Sequence, residues 1–269
     1  MAALTGYFEQ EAPDLLVVDV SVDVAMFARL CGVPVAIVRQ HGNRNDFAHR
    51  LAYAWAEELL APYPRWLEDA SASLAVRQAS RYTGGFTVRS AGTPTPQPGR
   101  IVVLSGRGDG GFDPGDVESA AAACPGTNWL LAGPAHWRAD VVELIGSAEV
   151  VVSHAGHNAV MEVAAARRPL ICIPRPRPFG EQNGKAEALR RAGAAVVRER
   201  WCAPEEWPGV LAAARDLGTE RLASAVDPAA KARLATRVDS LAARLHSGRT
   251  GARNLVGRGT PQDLEPLPV

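Results

Sequence analysis

Short apolar runs alternate with longer amphipathic segments along the first part of the chain. Leu15–Val20 and Val33–Val38 are almost entirely apolar, which is typical of parallel strands buried on both faces. The segment between them, Val22–Leu30, predicts a helix. Phe47–Leu60 predicts a second helix that runs into a short strand, and Asp46 is placed to cap its N-terminus. This order of elements is that of an α/β protein.

The same alternation continues after residue 99. A glycine-rich loop, Ser105–Gly111, follows the first strand of this part, and Asp113 and Pro114 then begin a helix. Alternating strands and helices predict a doubly wound parallel sheet. We expect strands near 101–104, 129–132, 150–153, 170–173 and 195–197, and helices near 114–123, 157–166, 182–192, 204–217 and 229–245.

Residues 93–99 are the best candidate for a domain linker, since three prolines alternate there with small and polar residues. They separate a first domain, residues 1–92, from a second domain, residues 100–245. Residues 246–269 are rich in Gly, Arg and Pro without a hydrophobic period, so we expect a disordered tail.

The stretch Ser153–Glu162 carries the most specific chemistry in the sequence. It follows an apolar run and opens an Ala-rich segment, so it reads as strand, tight turn and helix start. Gly156 allows a positive φ or a close approach of the backbone to a ligand. The unpaired amides of the first helical turn suit a phosphate. Asn158 and Glu162 are four residues apart and share a helix face, where the carboxylate could accept from ribose hydroxyls.

These residues resemble a known signature when the next strand, Pro169–Ile173, and the pair Glu181-Gln182 are added. The pattern is similar to the nucleotide-sugar donor signature of GT-B glycosyltransferases. It resembles the plant-type UDP-glycosyltransferase box, H-C-G-W-N-S-x-x-E … P … D/E-Q. It also resembles the C-terminal domain of the peptidoglycan N-acetylglucosaminyltransferases. The resemblance covers about Arg100–Val197 and departs from the box at Ala159, where the box has Ser, and in a longer loop before Glu181.

The resemblance implies an α/β, GT-B-like fold of two Rossmann-like doubly wound parallel-sheet domains, the N-terminal one truncated. We expect the opening strand and glycine-rich loop of that domain, where the family usually places its acceptor-activating base, to have no counterpart in this sequence. The implied activity is transfer of a sugar from a nucleoside diphosphate sugar, with UDP as the nucleotide, to an unknown acceptor. The donor-binding residues would be Gly106, Gly108, His154, Gly156, Asn158, Glu162, Glu181 and Gln182.

Several of these residues have a plainer interpretation that the sequence leaves open. Glu181 and Gln182 equally suit the acidic first turn of a helix. The loop Ser105–Gly111 lacks the Lys of a phosphate-binding P-loop and could be a flexible turn, or its backbone could contact the donor phosphate. His41, Asp46 and His49 follow the strand Val33–Val38 and are candidates for the general base, although loop polarity and helix capping explain them as well.

We expect neither a metal nor another cofactor, because the sequence has no D-x-D pair and no cluster of His and Cys ligands. The net charge of zero argues against nucleic-acid binding. No apolar run reaches the roughly 18–20 residues of a transmembrane helix and no signal peptide is recognisable, so we expect a cytoplasmic protein. Only two of the 29 basic residues are lysines, Lys185 and Lys231, which we attribute to composition bias.

Two further functional hypotheses remain. The chain could be the donor-binding half of a split or inactive transferase, with a second chain supplying the missing N-terminal units. It could also be a nucleotide-sugar 2-epimerase, a class that shares the two-domain architecture. Turnover of a free UDP-sugar without acceptor would favour the epimerase.

Overall fold

The structure is a computed structural model that describes residues 2–88, 94–106, 111–133, 136 and 140–256, the last eight of these as backbone only. Two parallel sheets, each with helices packed on it, form an α/β fold, as the alternating pattern predicts. Within the described residues, no helix combines the length and the apolar character needed to cross a membrane.

The first sheet has the strand order β1-β2-β3-β4 and all of its pairs are parallel. Its strands are β1 (Leu16–Asp19), β2 (Val35–Val38), β3 (Glu58–Ala61) and β4 (Ser80–Tyr82). The helices of this part are α1 (Ala2–Glu11), α2 (Val22–Leu30), α3 (Phe47–Trp55) and α4 (Leu74–Ala79). The predicted cap of α3 is confirmed, because the Asp46 carboxylate accepts from the amide of His49 at 3.1 Å. Helices α1 and α4 and strand β4 were not predicted. The expectation that β1 is buried on both faces is wrong, because β1 lies at an edge of this sheet and Val17 is exposed.

The second sheet is also fully parallel, with the order β6-β5-β7-β8-β9. Its strands are β5 (Arg100–Leu104), β6 (Asn128–Ala132), β7 (Val150–Ser153), β8 (Leu170–Cys172) and β9 (Val196–Val197). Its helices are α5 (Pro114–Ala123), α6 (Val141–Ser147), α7 (His157–Ala165), α8 (Glu181–Arg191), α9 (Trp207–Leu217) and α10 (Glu220–Ala223). Strands β5, β7 and β8 are neighbours in the centre, so the loops that follow them meet at one edge of the sheet.

The last helix, α11 (Ala230–Val256), changes the predicted domain boundaries. Its side chains Leu234, Val238, Leu241 and Leu245 pack with Ala36 and Leu60 of the first sheet. The C-terminal helix therefore contributes to the core of the first domain, although the sequence assigned residues up to 245 to the second. The predicted disordered tail, 246–269, is helical as far as Val256, and residues 257–269 lie outside the described part. Apolar side chains of the first sheet stabilise this helix. The local sequence pattern does not reveal this contact.

Candidate active site

The loops after β5, β7 and β8 bring most of the predicted donor-binding residues to the carboxyl edge of the second sheet. A Cβ built on Gly106, in the loop after β5, would lie 3.9 Å from Cδ2 of His154, in the loop after β7. The phenyl ring of Phe112 stacks on the His154 imidazole with centroids 4.1 Å apart. Gly108 lies outside the described residues. The loops after β5 and β7 are therefore in contact at this edge.

His154 is held as one tautomer by the loop after β8. Its Nδ1 lies 2.9 Å from the carbonyl oxygen of Ile173, so Nδ1–H donates and Nε2 carries the lone pair in the neutral ring. Within the described part of the chain, the buried Nε2 has no hydrogen-bond partner. Burial, with Arg175 and Arg177 nearby, lowers the pKa of His154, although the bond to Ile173 opposes this. Nε2 can therefore donate to a phosphate oxygen only after the ring takes up a proton.

Helix α7 begins at His157 with Gly156 as its N-cap. Gly156 has φ −63° and ψ 142°, an extended backbone open to any residue, so of its two predicted uses only the close approach of the backbone to a ligand remains. Among the residues that the structure describes, a Cβ at Gly156 would meet no atom within 4 Å and no side chain caps the helix. The first amides of α7 are thus left for another acceptor. Asn158 is exposed and Glu162, one turn later, is half-buried on the same helix face.

Gln182 lies in the first turn of α8 and is almost fully buried. Its Oε1 accepts from the backbone amide of Arg175 at 2.9 Å, so the side chain fixes the loop that leaves β8. Glu181, the first residue of α8, is partly exposed. Because Gln182 is buried, an acidic first turn exposed to solvent does not account for this residue.

The three candidate bases lie between β2 and the first turns of α3, facing the second domain. The His49 ring contacts the Phe179 ring with centroids 4.8 Å apart, and Asn43 donates its amide to the Phe179 carbonyl at 2.7 Å. Both His49 nitrogens are engaged: Nδ1 with Asp46 Oδ2 at 2.6 Å and Nε2 with Nη1 of Arg44 at 3.1 Å. His49 therefore meets a proton acceptor on one side and a fixed cation on the other.

His41 is the most deeply buried of the three candidates. Its Nε2 lies 2.7 Å from the carbonyl oxygen of Leu67 and its ring packs on Tyr63 at 4.4 Å. Burial holds its pKa well below the ordinary value, and Lys185 and His157 of the second domain lower it further. Asp46 is in contrast well exposed and has a lowered pKa, first through the His49 amide bond, so it stays a carboxylate.

Two titratable residues that sequence reasoning missed lie among these groups. Lys185, on the buried face of α8, has 1% of its surface exposed, and its Nζ is 3.8 Å from Glu181 Oε1. Burial lowers the pKa of His157 to about 4, and the Lys185 cation lowers it further. Burial also lowers the pKa of Lys185 to about 8, although the Glu181 carboxylate opposes this. The sequence held one signal for Lys185: it is one of two lysines among 29 basic residues, and it stands four residues after Glu181.

Residues 132–241 match the family model described as the glycosyltransferase family 28 C-terminal domain. The chain is also similar to two curated UDP-N-acetylglucosamine--N-acetylmuramyl-(pentapeptide) pyrophosphoryl-undecaprenol N-acetylglucosamine transferases. The protein from Sorangium cellulosum is 36% identical over 116 residues, which are 42% of this chain and 26% of that protein. The protein from Anaplasma marginale is 28% identical over 183 residues, 65% of this chain and 48% of that protein. The chain thus spans less than half of the length of either relative.

Among solved structures, the chain resembles MurG of Acinetobacter baumannii with a TM-score of 0.64 and 17% sequence identity. The match covers 88% of this chain and 76% of that one. At this identity the likeness concerns the fold, which extends across both sheets. The family match concerns residues 132–241, which hold most of the second sheet and the helices packed on it.

Proposed function

We propose that this chain, which carries the C-terminal domain of a GT-B glycosyltransferase, transfers a sugar from a nucleoside diphosphate donor to a hydroxyl or amine acceptor. The observation that carries the proposal is that His154, three residues before the uncapped helix α7, and the buried Gln182 both hydrogen-bond to the loop after β8. Along this edge of the second sheet, the first amides of α7 suit an anion, and the polar side chains suit the hydroxyls of a sugar.

The donor nucleotide in this proposal is UDP, because the curated relatives are named for UDP-N-acetylglucosamine. The diphosphate would lie at the first amides of α7, where the helix dipole favours negative charge. Glu162, one turn into the same helix, would accept from the ribose hydroxyls. A diphosphate oxygen close to Nε2 of His154 would raise the pKa of that ring, so UDP binding would draw a proton onto it.

In the transfer step, the acceptor oxygen or nitrogen attacks the anomeric carbon and the bond from that carbon to the diphosphate breaks. The acceptor loses its proton to a base, and the diphosphate leaves with the bonding electrons. Amides at the start of α7 are fixed before the reaction, so they stabilise the developing charge without reorganising. His41, Asp46 and His49 remain the base candidates, and Asp46 is the most exposed of them.

A second candidate is a donor-binding half that works with another chain. The observation that favours it is β1, which lies at an edge of the first sheet with 42% of Val17 exposed. An open parallel edge of this kind offers unpaired backbone groups to a further strand. In this version UDP binding is unchanged, whereas sugar transfer requires the added chain.

Calorimetry with UDP tests nucleotide binding, which both candidate functions require. We expect Glu162→Ala to weaken UDP binding by about 1.5–3 kcal/mol, as for a lost hydrogen bond to a charged group. Glu187→Ala is the matched control, because Glu187 is an exposed helical glutamate on α8 that pairs with Arg190. Equal UDP affinity for wild type and Glu162→Ala would refute the ribose role. Absence of UDP binding by the wild type would refute the function itself.

A further inference from the structure

A cavity of about 440 Å³ lies at the contact between the two domains. One of its lining residues is the last residue of α8, and the others belong to the first domain. The lining consists of Arg65, Glu68, Ala70, Arg77, Tyr82 and Arg191. Three of these six residues are arginines, so the charge of the cavity depends on what balances them.

The carboxylates near this cavity already have other partners. Glu68 forms a buried ion pair with Arg39, at 2.6 and 3.2 Å, and its Oε2 also accepts from the Tyr82 hydroxyl at 2.5 Å. The neighbouring carboxylate, Asp69, accepts two backbone amides, at 2.6 and 2.8 Å. Among the residues that the structure describes, no carboxylate lies within ion-pair distance of the three arginines of the lining. Three guanidinium charges therefore border one cavity without a counter-charge.

Contacts with the protein hold each of the three guanidinium groups in place. Arg77 donates to two backbone carbonyls of the loop before α4, at 2.6 and 2.7 Å. Arg191 donates to the Glu68 carbonyl at 2.9 Å, across the domain contact. The Arg65 guanidinium lies over the Tyr82 ring, 4.5 Å from its centre. A guanidinium has five N–H donors, so each of these arginines keeps donors for a ligand.

The number of charges and the place of the cavity indicate which ligand it suits. Arginine binds the oxygens of phosphate and carboxylate groups through paired N–H donors. Three positive charges favour a doubly charged phosphate over a singly charged carboxylate. Arg191 stands ten residues after Glu181 on α8, which is about 15 Å along the helix at 1.5 Å per residue. The cavity is therefore separate from the edge at which the donor is proposed to bind.

We propose that this cavity is a phosphate-binding site that joins the two domains. Arg65 and Arg77 bind the anion from the first domain, and Arg191 binds it from the second. The anion offsets the repulsion among the three guanidinium groups and holds the end of α8 on the first domain. Its source is either free inorganic phosphate or a phosphate group on a larger molecule. The site does not depend on the transfer function proposed above, because it uses none of the donor-binding residues.

Calorimetry with inorganic phosphate at constant ionic strength tests the site. We expect Arg65→Gln and Arg191→Gln each to weaken phosphate binding at least threefold, and the double variant at least tenfold, because each change removes a charged donor. Arg190→Gln is the matched control and should bind as the wild type does, since this exposed neighbour on α8 pairs with Glu187 instead. Phenyl phosphate distinguishes the two sources: tighter binding than that of phosphate identifies a larger phosphorylated ligand, and equal or weaker binding identifies free phosphate.

Urea denaturation supplies a second readout and checks folding. Arg65 and Arg191 are exposed, so the double variant should unfold near the wild-type midpoint without phosphate. Phosphate should raise the midpoint of the wild type but not that of the double variant. A wild type that does not bind phosphate, or a double variant that binds it equally well, would overturn the proposal. A loss confined to one of the two single variants would place the anion on one domain and overturn the bridging role. An equal loss of UDP binding in the double variant would assign the cavity to the donor site instead.

Discussion

Replacing Lys185 by Met should stabilise the ligand-free protein. Burial lowers the pKa of this lysine from 10.5 to about 8, because the folded protein disfavours the charged form. At about 1.4 kcal/mol for each pH unit, the difference corresponds to about 3 kcal/mol of folding free energy. Met fills a similar volume without a charge, so Lys185→Met removes this cost at pH 7.

The pH dependence of this gain has a definite sign. Below pH 8 the lysine is protonated in both the folded and the unfolded protein, so the wild type carries the whole cost. Between about pH 8 and 10.5 the folded protein has lost the proton while the unfolded chain keeps it. Unfolding then takes up a proton, and the stability of the wild type rises with pH. The advantage of Lys185→Met should therefore shrink across this window.

Urea denaturation followed by the fluorescence of the six tryptophans measures both effects at pH 7, 8.5 and 9.5. Lys231→Met is the matched control and should change stability by less than about 0.5 kcal/mol at every pH, since it alters an exposed position. A Lys185→Met protein that is no more stable than the wild type at pH 7 would refute the reasoning. A gain that does not decline with rising pH would show that packing rather than charge causes it.

Three further predictions concern the site and the contacts between domains. Gln182→Ala should lower affinity for UDP-N-acetylglucosamine but leave affinity for UDP nearly unchanged. Gln182→Glu keeps an acceptor for the Arg175 amide and should bind UDP normally. Equal losses of affinity for both ligands would place this residue on the nucleotide. Gly42→Ala should cost about 1–3 kcal/mol by urea denaturation, because φ is +104° and the new Cβ would lie 2.7 Å from the Phe179 carbonyl. Leu241→Ala should cost about 2–5 kcal/mol and speed proteolysis of the first domain, because that side chain joins α11 to the first sheet; unchanged proteolysis would mean that α11 does not hold that domain.

Much of the fold could be predicted from short-range pattern. The valine-rich runs that became β2, β5 and β7 are buried on both faces, and that requirement is visible in sequence as an unbroken apolar run. The similar run that became β1 has only Val18 buried, because this strand lies at an edge of the sheet. Strand β4 (Ser80–Tyr82) was missed because it is short and half polar. Helix α11 was assigned to the wrong domain because its partner surface lies about 200 residues away in the chain.

The candidate site could be predicted from the sequence only where its arrangement depends on residues that are neighbours in the chain. The order of strand, turn and helix at His154 and Glu162 follows from neighbouring residues and is confirmed. The tautomer of His154 depends instead on a carbonyl 19 positions away. Lys185 is buried on helix α8, which packs against the first domain through residues distant in the chain. Whether these residues bind a nucleotide-sugar stays a prediction.

Helix α8 links the proposed donor site to the contact between the two domains. Its first turn carries Glu181 and Gln182, and the next residues pack on the first domain. Gly184 lies against Asp69 so closely that a Cβ there would collide with the carboxylate, which is itself held by the amide of Gly42 at 2.6 Å. Arg191, at the other end of α8, donates to the Glu68 carbonyl at 2.9 Å. Because one rigid helix makes both sets of contacts, a ligand that shifts its first turn must also change its fit to the first domain. Donor affinity and domain approach should then be coupled: by reciprocity, forming the domain contact should change donor affinity by the same factor by which bound donor changes the equilibrium constant of that contact.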